Sequence, residues 1–463
     1  MRPPRKASWR HALAIAVLGT LALPSVADAH PRLKRSSPSV GERLHATPAF
    51  LRFWFSEVPE LKLTSLTLVD SAGHAIALGT VQRDPGDKIG VFAAILAPLA
   101  PGAYTAKWKT AAADGHPTDG IVTFTVVPAG AAPVSAPDSG ARTNMNPDSG
   151  LTAVTKLGDA GTPLEISYVV ARALSFASLL VVIGAVIFQF AVLPRALADA
   201  DLSARVARAV AGVGGGAAAV LALAAFGKLA LQVQVLNLFD PSQATSVGVL
   251  VGSTRWGVAW MVQVGGALLA WTAFRAARRN PSWWSAAAVM ALVLSTSPAL
   301  AGHAGSAPRL TALAVAADTG HILGASGWMG SLFVMTVIAI PLIVSVGGKD
   351  RWLNIASLVN AFSPTALAFA TLLALTGLFA AWLHLGSVGA VLTSGYGRTL
   401  LLKLIVLVPL AATGAYNWRR VRPVLGTTEA TSLLRKTAIA ELSIAVAVIC
   451  VTAALVATEP PMP

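Results

Sequence analysis

The sequence predicts a mixed, two-part chain. A small all-β sandwich or barrel comes first, and an all-α bundle of eight transmembrane helices follows. Three observations carry this. The 463 residues are 55% hydrophobic and only 12% charged, a membrane composition. Residues 30–128 instead show apolar/polar alternation broken by turn residues. From residue 164 to 458 the chain resolves into eight apolar runs of spanning length.

The N-terminus reads as an export signal. Arg2, Arg5, Lys6 and Arg10 form a basic stretch, Leu13 to Leu23 an apolar core, and Ala27-Asp28-Ala29 a small-x-small cleavage pattern. Removal of residues 1–29 makes His30 the first mature residue. Its free α-amine and imidazole form a two-nitrogen chelate. Pro31, which has no amide N–H, keeps the next backbone nitrogen from joining it.

In residues 30–128, alternation marks Leu51-Arg52-Phe53-Trp54-Phe55, Leu66-Thr67-Leu68-Val69 and Val122-Thr123-Phe124-Thr125-Val126 as strands. Gly73, Pro85-Gly86, Pro101-Gly102 and Gly115 separate them. About a hundred residues suffice for a core without disulfides, and the single cysteine, Cys450, excludes an intrachain framework. Cys450 itself lies deep in an apolar run and reads as packing.

The chemistry of this domain is expected in Ala113-Asp114-Gly115-His116-Pro117-Thr118-Asp119-Gly120, a connection between strands Tyr104–Thr110 and Ile121–Val127. Asp114 and His116 stand two apart, a spacing that turns both side chains the same way on extended backbone, with Gly115 relaxing the chain between them. Asp-Gly-His-Pro also has the composition of a plain turn. The exposed His30 tips the reading, because His30, Asp114 and His116 together supply three nitrogens and a carboxylate oxygen, a set suited to tetragonal Cu(II).

Residues 129–163 are rich in Ala, Pro, Gly and Ser and form a flexible tether, in which Met145 is a lone thioether without a partner motif. Residues 459–463 are a short tail. The formal charge of +14 does not indicate nucleic acid, since residues 30–128 carry ten Lys/Arg against eight Asp/Glu and most of the excess sits in the leader and in short loops. With the β domain exported, eight crossings place 194–205, 278–282, 347–362 and 419–434 inside; thirteen Lys/Arg then lie at inner ends against six at outer ends or in outer halves, among them Lys228 and Lys403.

Polar residues within the bundle follow by depth. His303 falls at the outer mouth between the fourth and fifth helices, and His384 at the outer end of the sixth. Asp318 and His321 are one turn apart on the fifth helix, roughly 14–18 Å below its outer end. An ionisable pair at that depth is costly unless it faces the bundle interior and binds something. Lys403 either pairs with Asp318 or snorkels, Glu441 is an exit-side polar group, and Trp328 reads as helix packing.

His30-Pro31, Ser37-Pro38, Phe55-Ser56-Glu57, Pro101-Gly102-Ala103-Tyr104 and Asp114-Gly115-His116-Pro117 resemble the CopC family of periplasmic copper proteins. The resemblance implies a cupredoxin-like β-barrel that binds Cu(II) through His30, Asp114 and His116, with Glu57 supporting these ligands. No methionine lies between His30 and Val127, so the methionine loop some relatives use for Cu(I) is missing; His45 and His74 match no motif and read as surface residues. Gly302-His303-Ala304, Asp318-x-x-His321 with Trp328-Met329-Gly330, and Arg398, Lys403 and Asn417 resemble the CopD family. The domain order resembles fused CopC–CopD proteins of copper homeostasis. It implies a non-enzymatic protein of the bacterial inner membrane, embedded in the lipid bilayer with its N-terminal domain periplasmic. Such a protein takes copper from solution or from other periplasmic carriers and moves it across, usually inward, past His303, Asp318, His321 and His384. No nucleotide-binding loop is present in the sequence. The alternative is a haem-bearing bundle that reduces the captured copper, which requires axial histidines at matching depth. An N-terminal histidine chelate also occurs in copper monooxygenases, but Asp114 fills a coordination position and no aromatic substrate platform is evident.

Overall fold

The computed structural model describes residues 33–111, 115, 117–128, 163–239, 246–302, 311–385 and 389–456. The leader, His30, Asp114, His116, the tether through residue 162, His303 and the tail lie outside the described residues.

The β domain is a sandwich of two sheets. One has the strand order β1 (Leu33–Ser37), β3 (Phe50–Phe55), β7 (Gly90–Ala94), β6 (Gln82–Arg83). The other runs β2 (Arg43–Leu44), β9 (Pro117–Val126), β8 (Gly102–Ala111), β4 (Ser65–Asp70), β5 (Ala75–Ile76). All pairings are antiparallel except β2 with β9. Alternation turns Leu51, Phe53 and Phe55 inward from one sheet against Tyr104, Trp108, Val122 and Phe124 from the other. Phe55 meets Trp108 edge-on at 5.1 Å between ring centroids. The Tyr104 hydroxyl donates to the Ala100 carbonyl at 2.7 Å, which explains a tyrosine just after Pro101-Gly102.

The connection expected over Ala113–Gly120 is shorter than that. Ala111 pairs with Pro117 and Trp108 with Gly120, so Pro117–Gly120 belong to β9 and residues 112–116 are left between the two strands. Gly120 is a packing residue: a Cβ there would stand 2.6 Å from the Trp108 ring. Gly115 has φ +83°, the left-handed region that favours glycine.

Among the described residues eight helices are long and apolar enough to cross a membrane: Ile166–Ala196, Ala200–Leu238, Arg255–Ala277, Trp283–Ala301, Ala312–Val346, Arg351–Leu383, Gly395–Val424 and Glu429–Leu455. They are numbered first to eighth below. Leu223, Leu378 and Val408 point outward, where lipid would lie. Several helices outrun their apolar cores. The second, continuous over Ala200–Phe239, is 40 residues long, about 60 Å at 1.5 Å per residue, against about 30 Å of hydrocarbon. Three of the four connections expected inside are therefore shorter than the charge pattern suggested, with the sixth helix already under way at Arg351, while 278–282 keeps its expected extent.

The fifth helix carries its long apolar run, Ala312–Val346, as one element. It passes through two π-helical stretches, Ser326–Gly330 and Val334–Ala339. Further π-helical stretches cover Phe188–Val192 in the first helix and Asn417–Val421 in the seventh. Close packing surrounds the first stretch of the fifth helix. Gly330 lies against the Leu180 backbone of the first helix, and a Cβ on Gly324 would stand 2.8 Å from the Leu373 nitrogen of the sixth. Gly330→Val is therefore expected to destabilise the bundle by about 3 kcal/mol or more, because backbone cannot move aside. Gly212→Val, where nothing lies within 4 Å, should be tolerated. Monodisperse elution in detergent distinguishes the two.

Candidate metal centre

The β domain is seated on the C-terminal end of the second helix and the N-terminal end of the third. Leu63, in a short 3-10 turn after β3, packs into a cluster of Leu236, Leu250 and Trp256. Beside it, the Glu60 carboxylate accepts the backbone N–H of Arg255 at 3.0 Å, at the start of the third helix. Burial raises the Glu60 carboxyl above its ordinary value, against the opposing pull of that N–H and of the Arg255 and Arg83 charges.

The second contact is the hairpin tip. Gln232 of the second helix, 2% exposed, donates its amide nitrogen to the Gly115 carbonyl at 2.6 Å and accepts the Tyr168 hydroxyl at 3.0 Å. A Cβ on Gly115 would stand 2.9 Å from the Gln232 amide and 3.1 Å from the Trp256 ring, so glycine is required by space as well as by φ. Asp114 and His116, the residues on either side, lie outside the described residues, as does His30. The structure therefore locates the centre of the expected ligand loop, on the membrane bundle, and leaves the ligand geometry undescribed. The helices receiving it carry none of His303, His321 and His384.

The membrane residues divide likewise. His303 lies outside the described residues, and His384 is described only as a position in the sixth helix. Asp318 and His321 are both partly buried on the fifth helix, about 9 and 14 Å below Ala312, slightly shallower than the sequence suggested because the helix starts later. His321 Nδ1 lies 3.1 Å from Thr376 Oγ1 of the sixth helix. The Thr376 hydroxyl spends its one proton on the carbonyls of Leu372 and Leu373, at 2.8 and 3.2 Å. A Thr376 hydroxyl donating to the Leu372 carbonyl accepts from Nδ1–H, the tautomer in which Nε2 keeps its lone pair. That is the form of histidine a metal ion binds. Gly377 makes room for the ring: a Cβ there would stand 3.2 Å from Cε1. His384 occupies the position seven residues beyond Gly377, two turns further out on the same helix face.

Asp318 does not stand as an isolated carboxylate. It interacts electrostatically with Lys403 and with Tyr396, both of the seventh helix, and Lys403 in turn faces His321. The charges of Asp318 and Lys403 act on one another, as the pairing reading of Lys403 requires. Tyr396 was missed, since a tyrosine near a helix start carries no spacing signal. Among the described residues no three His, Cys, Asp or Glu side chains gather as a metal cluster. His45 is exposed, and His74, also exposed, bonds Asp70 at 3.1 Å across the β4–β5 turn. The His74 backbone N–H holds the Asp70 carboxyl below its usual range. Trp328 packs against the bundle core as expected. Glu441, 4% exposed, accepts from the Asn417 amide at 2.7 Å, a partner the sequence did not indicate.

Three parts of the chain match families of known proteins. Residues 33–127 match the CopC domain family, 163–308 the copper resistance protein D-like N-terminal domain, and 356–455 copper resistance protein D. The copper transport protein CutJ of Bacillus subtilis (strain 168) is 24% identical over 461 residues, 97% of this chain and 77% of CutJ. Protein YobA of Escherichia coli (strain K12) is 31% identical over 119 residues, 26% of this chain and 94% of YobA. Among solved structures, CopC from Methylosinus trichosporium OB3b is 26% identical, covering 21% of this chain and 95% of that one at a TM-score of 0.20. PcoC, a methionine-rich copper resistance protein from Escherichia coli, is 29% identical, covering 21% and 99% at a TM-score of 0.20. The chain is a multi-pass membrane protein of the copper resistance and transport families, and it belongs to the fused CopC–CopD proteins.

Proposed function

We propose that this protein captures Cu(II) on the outer side of the bacterial inner membrane and moves copper into the cell. The β domain holds Cu(II) through His30, Asp114 and His116 and faces the periplasm. The membrane bundle takes copper from it and passes it inward by way of His303, His384 and the Asp318/His321 pair. The protein makes and breaks metal–ligand bonds and performs no covalent chemistry of its own.

The observation that supports this most strongly is the hydrogen bond from Gln232 to Gly115, which holds the loop between two candidate ligands against the membrane helices. A loop whose only task was to buffer copper in solution has no need of such a seat. In the bundle, the Nε2 lone pair of His321 offers a neutral donor where a second buried cation would be costly, and Lys403 offsets the charge of Asp318. Copper content of cells lacking or overproducing the protein tests the direction. Overproduction should raise cell-associated copper and deletion lower it; the opposite pattern would establish export.

A further inference from the structure

The seventh helix ends in Asn417-Trp418-Arg419-Arg420-Val421-Arg422-Pro423, three cations and a tryptophan that neither the β domain nor the Asp318/His321 pair uses. Its π-helical stretch Asn417–Val421 leads into a 3-10 turn at Arg422–Val424. Where this turn meets the start of the sixth helix, an open cleft of about 460 Å³ is lined by Ala356, Asn360, Trp418, Arg422, Pro423 and Leu425. Arg422 organises it. Its Nε donates to Asn360 Oδ1 at 2.8 Å, and its guanidinium lies 4.8 Å over the Trp418 ring, so one edge and one face are fixed. Nη1 and Nη2 have no hydrogen bond or ion pair among the described residues. Arginine can only donate, so Asn360 must meet it with its oxygen, which leaves the Asn360 NH2 group as a further donor. None of the lining residues is acidic, and Arg419 and Arg420 stand exposed just before Arg422.

We propose that this cleft holds the headgroup of an anionic phospholipid, in the leaflet away from the β domain. The crossings place it there: the second helix ends and the third begins at the β domain, so the sixth begins and the seventh ends at the opposite face. The donor set, two guanidinium nitrogens and an amide, matches a phosphate and repels a cation. Ala356, Trp418, Pro423 and Leu425 add an apolar wall, which glycerol and acyl carbons need and a free inorganic anion does not. The surface stays apolar beside it: Leu353, one turn before Ala356, is 63% exposed, and Val424 is 56% exposed. A half-exposed tryptophan among arginines, at the end of a spanning helix, suits the headgroup zone of a bilayer. Bound there, the lipid ties the start of the sixth helix to the end of the seventh, the helices that carry Thr376 and Lys403 further along.

The test is native mass spectrometry of the full-length protein in detergent, given equal amounts of phosphatidylglycerol and phosphatidylcholine with the same acyl chains. The wild type should retain phosphatidylglycerol about tenfold more than phosphatidylcholine, the effect of one charge-assisted contact in a partly desolvated site. Arg422→Gln should bring that ratio close to one, and Arg422→Lys should fall between, since it keeps the charge but loses the fork and the stacking. Arg278→Gln removes an exposed arginine at the same end of the bundle but outside the cleft, and should keep the wild-type ratio. Asn360→Asp sets a carboxylate against Arg422 and should also abolish the preference. Because Asn360 is exposed, that variant decides the matter if Arg422→Gln does not elute as a monodisperse peak. Equal retention of both lipids by the wild type, or an equal fall in Arg422→Gln and Arg278→Gln, overturns the proposal, since surface charge alone is then being read. Displacement of the lipid by millimolar inorganic phosphate at constant ionic strength overturns it too, by making the cleft a site for the free anion.

Discussion

Replacing His30 by alanine is expected to weaken Cu(II) binding by roughly a hundredfold or more, because in the proposed site His30 is the mature N-terminal residue, whose side chain supplies one of four donors and anchors the chelate ring with the α-amine. Adding a single residue in front of His30 should do the same by a different route, since the imidazole survives but the amine moves away. Copper titration of the mature full-length protein measures both, and wild-type affinity in either would eliminate the N-terminal chelate. Export and metal competence are then linked: the uncleaved chain has the imidazole but an amide in place of the amine.

The second large effect is expected in the bundle. His321→Ala should reduce copper accumulation at least tenfold while leaving Cu(II) binding by the β domain intact, because the Nε2 lone pair disappears from the fifth helix. Asp318→Ala should do likewise, since it leaves the charge of Lys403 uncompensated beside the pathway. Thr376→Val should fall between wild type and His321→Ala, because the ring stays but loses the acceptor that fixes its tautomer. Normal accumulation in the His321 variant would remove the fifth helix from the copper route.

The contrast between what the sequence disclosed and what it hid is physical. Period-two alternation placed Phe53, Phe55, Val122 and Phe124 in the β core, and spanning length with positive-inside charge placed eight helices. The pairing of Trp108 with Gly120 was hidden, because a glycine needed for the volume of a neighbour reads the same as one needed for a turn. The seat of the β domain was hidden for a related reason. Gln232, Tyr168 and Trp256 are 24 to 88 residues apart and carry no shared motif; only the folded chain brings them under Gly115. Asp318 and His321 were legible because one helical turn relates them, whereas Thr376, Tyr396 and Lys403 come from other helices.

The π-helical stretches of the fifth helix have a consequence for its angular phase. Each wider turn accommodates about one extra residue, and one residue of α-helix is about 100° of rotation. The outer part, with Asp318 and His321, and the inner part, with Thr336, thus face directions that a uniform helical wheel would misassign. Deleting one residue between Ser326 and Gly330 would therefore remove a wide turn and leave both halves against their present neighbours, whereas the same deletion within the regular Thr311–Ala325 segment would swing one half round by about 100°.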